Sequence, residues 1–149
     1  MPRNIKETYL KCKINGTYIH QSEINIAKIK SMLNIAKEDI KSVEELKKTN
    51  RFNTIYKLSY DILHTLTEAL ILFDKIKSKN HICLFAYFCT KHNEFDWNFF
   101  EKIRTKRNGI HYYGSGVDKN DWDEVNAQIA LYIKKLKDSI SHKLNQQLP

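Results

Sequence analysis

Glycine and proline are scarce, with four and two among 149 residues. A barrel or sandwich needs many tight turns, and this composition disfavours both. No stretch approaches the roughly 20 uncharged apolar residues of a membrane span, and the N-terminus lacks the apolar core of a secretory signal. The sequence therefore predicts a soluble protein of the cytoplasm. The three cysteines, Cys12, Cys83 and Cys89, include no repeated close pair. That pattern indicates neither a disulfide framework nor a zinc knuckle, and reduced thiols are the expectation. No glycine-rich loop follows a strand, which excludes a P-loop nucleotide hydrolase. No tandem recognition helices and no aromatic-bearing strands point to a sequence-specific nucleic-acid reader.

Lysine, isoleucine and leucine are abundant, and long helices are their natural product. The length suits a single domain, 1–149, able to bury a real core. The net charge of +8 inclines the chain toward polyanions, either nucleic acid or an acidic protein.

Apolar residues recur every three or four positions in several stretches. Ile29, Leu33, Ala36, Ile40 and Val43 predict a helix over 22–48 with Ser22 as its cap. A wider stripe from Ile55 to Ile76 predicts a second, centrally placed helix. "HICLFAYFCTKH" reads as a short buried helix after a turn at 78–80. A further helix starts near Asn93–Asp96, and a last one begins at the acidic cap Asp118 and carries Trp122, Val125, Ile129, Ile133, Leu136, Ile140 and Leu144. Residues 1–20 fit either a short helix ended by Gly16 or a hairpin around Asn15-Gly16, and 146–149 form a tail. The predicted class is all-α, an up-and-down bundle of four main helices plus one short one.

The chemistry concentrates in "KIRTKRNGIHYYG". At about 100° per residue, Arg104, Arg107, Asn108 and His111 share one stripe, extended backward by Trp97 and Phe100, while Phe99, Ile103 and Ile110 point elsewhere. That spacing predicts one face packed into the bundle and another meeting a ligand or a second copy. A histidine beside guanidinium groups suits proton transfer at a phosphate. Two copies about a twofold axis would supply two imidazoles and several arginines to one cleft.

This arrangement resembles the HEPN domain of prokaryotic toxin and antiviral systems, in which an arginine, often followed by a polar residue, precedes a histidine by a few positions. Arg104 and His111 have six residues between them, and Arg107-Asn108 supplies an adjacent Arg-Asn pair. Either arginine fits the family's position. The resemblance implies a metal-independent endoribonuclease of toxin or defence type, with no cofactor, acting as a homodimer on RNA. It leaves a 2′,3′-cyclic phosphate and a 5′-hydroxyl. It implies His111 as general acid or base, Arg104 and Arg107 on the scissile phosphate, and Asn108 orienting one of them. Lys102 and Lys106 would add backbone attraction. In some relatives a small nucleotidyltransferase partner modifies the tyrosine two positions after the histidine, here Tyr113. Other relatives cleave nothing and serve as binding modules for a nucleotidyltransferase or nucleic acid.

Plainer readings compete. The basic run can be a solvated face and Tyr113 a packed helix end. His81, Cys83, Cys89 and His92 resemble a zinc set, but a continuous helix separates the outer two by roughly 16 Å. His64 and His142 fall opposite their apolar stripes and read as solvated or interface residues. Gly109 weakens its helix by about 1 kcal/mol against alanine, and a bend there would swing His111 away from Arg104.

Overall fold

The computed structural model describes residues 3–147. Within them the chain is all-α apart from one small sheet: α1 (Ile5–Ile14), β1 (Tyr18–His20), α2 (Ile26–Leu46), α3 (Phe52–Ile71), β2 (Ile76–Ser78), α4 (His81–Lys91), α5 (Trp97–Tyr113) and α6 (Lys119–Gln146). Of the expected tail, Gln146 is still helical, and residues 148–149 lie outside the described residues.

The centre is α3, against which α2, α4, α5 and α6 all pack. Its Ile55, Tyr56, Tyr60, Ile62, Leu63, Leu66 and Ala69 are at most 1 % exposed, so the wide stripe is a helix covered on several sides. α4 buries seven successive residues, Cys83 to Cys89, as its run of apolar side chains requires. Both ends of α5 are capped by local chemistry. The Asp96 carboxylate accepts the N–H of Asn98, and Gly114 takes the left-handed conformation that lets its N–H and that of Ser115 reach the Gly109 carbonyl. α6 opens on a reciprocal capping box between Asp118 and Asp121.

Three expectations need correction, and the open choice between helix and hairpin in residues 1–20 is settled as a helix. α2 is capped by Asn25, whose side chain accepts from the Lys28 N–H, rather than by Ser22. α3 does not continue to Ile76. It ends at Ile71 in a 3-10 turn, Lys75 adopts φ 61°, and the chain reverses into β2. β2 pairs antiparallel with β1, so the Asn15-Gly16 turn ends a helix, and the hairpin partner comes from far along the chain. Finally, Cys12 and Cys83 form a disulfide, joining α1 to the first turn of α4 across 71 residues, while Cys89 is free and buried. Sequence spacing carries no sign of this pairing, because it depends on where α1 docks. The reduced-thiol argument for a cytoplasmic location loses its support accordingly. Among the described residues no helix is long and apolar enough to cross a membrane.

Candidate functional site

The stripe expected to be open is largely turned inward. Trp97 is 7 % exposed, Phe100 is fully buried and Arg104 is 9 % exposed, because this side of α5 packs against α3 and α4. Arg104 therefore needs a partner, and it finds one a turn back: its Nε donates to Glu101 Oε1 at 3.0 Å and a terminal nitrogen to Oε2 at 3.4 Å. Arg3 donates to the same carboxylate at 3.3 Å.

Farther along α5 the burial fades. Arg107 is half-buried, its guanidinium 5.5 Å from the centre of the Tyr60 ring and 3.7 Å from the Asp61 carboxylate. One terminal nitrogen donates to Asn108 Oδ1 at 3.4 Å, and its buried Nε has no partner among the described residues. His111 is exposed. It keeps the angular direction of Arg104 but stands roughly 10 Å farther along the axis, past the edge of the bundle. Gly109 introduces no break, since α5 runs unbroken to Tyr113.

The structure gathers Arg104, Arg107, Asn108 and Tyr112 of α5 with Asn80, His81 and Ile82 of α4 around a recess of about 190 Å³. His111 does not line it, and the Asp61 carboxyl beside Arg107 is raised above the ordinary carboxylate value, chiefly by burial, with Arg107 opposing the rise. Lys102 and Lys106 point to the other side of α5, where they pair with Glu124 and Asp121 of α6. Tyr113 is 80 % exposed and Tyr112 is 66 % exposed, so neither is a packed helix end.

Beneath the recess is a cluster that the sequence did not reveal. His81 Nδ1 lies 2.8 Å from the Tyr60 hydroxyl, and the His64 and His81 rings are 4.0 Å apart. His64, expected to be solvated or at an interface, is 79 % covered at its side chain and its pKa is pushed down to about 3 by burial, with His81 and Arg107 adding to the effect. His81 is also held below the ordinary histidine value, first by burial and then by Arg107 and Arg104. His64 Nδ1 stands 3.9 Å from Glu68, yet burial keeps this imidazole neutral and raises the Glu68 carboxyl. The Tyr60 hydroxyl, fully buried, is pushed up and stays protonated. The i,i+4 spacing of Tyr60 and His64 was visible in the sequence, but their meeting with His81 depends on α4 crossing α3.

Cys83 is bonded to Cys12, and His81 and His92 stand at opposite ends of α4. Among the described residues no three histidine, cysteine or acidic side chains come together as a metal site would require. No protein-family model matches this chain, and no curated protein or solved structure is significantly similar to it.

Chemically the recess is a donor-rich pocket. Two guanidiniums, two amides and an imidazole line a volume suited to one phosphate group with part of its ester.

Proposed function

We propose that this chain is a HEPN-like endoribonuclease that acts as a homodimer, binding RNA at the recess and cleaving it by attack of the neighbouring 2′-hydroxyl, without a metal or other cofactor. The observation that carries the reading is the convergence of Arg104, Arg107 and Asn108 on one recess. Fixed guanidiniums stabilise the charge that grows on a pentacoordinate phosphate. His111 exchanges a proton with the reacting oxygens when RNA spans from the recess toward the exposed end of α5. In this reading Tyr113, projecting from the same end, is open to modification by a nucleotidyltransferase antitoxin. Lys102 and Lys106 contribute to binding through net charge, from the α6 side of the helix.

Incubation of purified protein with RNA in EDTA tests this. Fragments ending in 2′,3′-cyclic phosphate are expected, with a loss of about 100-fold or more in His111→Ala. Cleavage that depends on an added divalent ion, or is equal in the mutant, sinks the reading.

A second reading has its own support. His111 stands outside the recess, and Glu101 and Asp61 offset both arginines. A non-catalytic module that holds nucleic acid or a nucleotidyltransferase through the same donors fits these facts. It predicts RNA or partner binding that is lost in Arg107→Gln and indifferent to His111→Ala.

A further inference from the structure

The recess already contains an imidazole that the motif did not include. We propose that His81 is a catalytic residue of this site: it touches the substrate beside the phosphate and takes the proton from the attacking 2′-hydroxyl. This rests on the ribonuclease reading above and deepens it.

Three features support the assignment. His81 lines the same recess as Arg104 and Arg107, whereas His111 does not. Its Nδ1 is engaged by the Tyr60 hydroxyl at 2.8 Å, which leaves Nε2 as the nitrogen available to a ligand. In the tautomer with Nδ1–H donating to the Tyr60 oxygen, Nε2 carries a free lone pair, and the buried phenol fixes the ring as an orienting partner does for a general base. The position is also rigid. Asn80 caps the first turn of α4 by accepting from the Cys83 N–H at 2.8 Å, and the bond from Cys83 to Cys12 clasps that turn to α1.

The charged and titratable groups around the ring are Arg104, Arg107 and Tyr112 from α5 and Tyr60 and His64 from α3, with Glu101 and Asp61 behind the arginines. Without ligand, burial and then the cations disfavour imidazolium, so the base is free of its proton at neutral pH. A bound phosphate offsets the guanidiniums, and the affinity of His81 for a proton recovers when the substrate is in place. The step then balances. The 2′-O–H proton passes to Nε2, the 2′-oxygen bonds to phosphorus, the P–O5′ bond breaks, and the departing oxygen takes its proton from the second imidazole, His111.

The test combines kinetics with NMR on the full chain. His81→Gln, which keeps a polar side chain of similar reach, is expected to retain its fold by circular dichroism and lose about 100-fold or more in kcat. The acidic limb of kcat/KM, which reports the free enzyme, is expected below the ordinary histidine range in the native protein and absent in the variant. Saturation with a non-cleavable 2′-deoxy dinucleotide is expected to move the His81 titration upward by about one unit. A His81→Gln variant that cleaves as well as the native protein, or a His81 titration unmoved at saturation, overturns the assignment and leaves the ribonuclease reading standing. Native protein that cleaves no RNA overturns both.

Discussion

Glu101 is 8 % exposed and receives two arginines, one of them equally buried. Removing one member of such a pair strands the other charge away from water, so Glu101→Ala is expected to cost about 3–5 kcal/mol in urea denaturation. The same reasoning applies to Arg104. A charge reversal there would report folding before it reported phosphate binding, and Arg107, half-buried with a long approach to Asp61, is the cleaner probe. His64 gives a pH-dependent signature. Its folded pKa of about 3 lies below the unfolded value near 6.5, so the contribution is intact above that unfolded value. As pH falls, the unfolded chain binds a proton that the folded chain refuses, and up to about 1.4 kcal/mol is lost per unit between 6.5 and 3. Denaturation midpoints at pH 7.5 and 5 should differ in the native protein, and the difference should shrink in His64→Gln.

At the scale of elements, the start of the last helix was well marked in the sequence. Asp118 caps α6 as expected, and Asp121 completes a box with it, so Asp118→Ala is expected to lower stability by about 1 kcal/mol. Gly109 sits within α5, and a methyl group there would meet Ser115 Cβ at 3.6 Å, an ordinary contact. Gly109→Ala is therefore expected to stabilise the protein by up to about 1 kcal/mol in thermal melts without disturbing the recess. The end of α3 was less legible. Neither glycine nor proline marks the turn after Ile71; Lys75 takes the left-handed conformation itself, and the apolar stripe runs on through Phe73 to Ile76. Periodicity alone could not distinguish that continuation from a strand.

For the whole molecule, the Cys12–Cys83 bond closes a long covalent loop, its ends 71 residues apart. In the chain-entropy account a loop of this length contributes on the order of 4 kcal/mol, so Cys12→Ser or a strong reductant is expected to lower stability by about 2–4 kcal/mol. Maleimide labelling of denatured, unreduced protein should find one free thiol, that of Cys89. Three labelled thiols in protein taken directly from cells would show that the bond does not form there and would restore the case for a reducing compartment.

The sequence by itself determined the all-α class, the cap at Asp118, the central place of α3 and the shared angular direction of Arg104, Arg107 and Asn108, because each depends on neighbours within a few turns of one helix. Only the tertiary structure decided that Trp97 and Phe100 face inward, that Arg104 is buried on Glu101 while His111 emerges into solvent, and that His81 and His64 meet over Tyr60. Burial along a helix changes where a neighbouring helix ends. That depends on how elements far apart in the chain cross, and no local spacing records it.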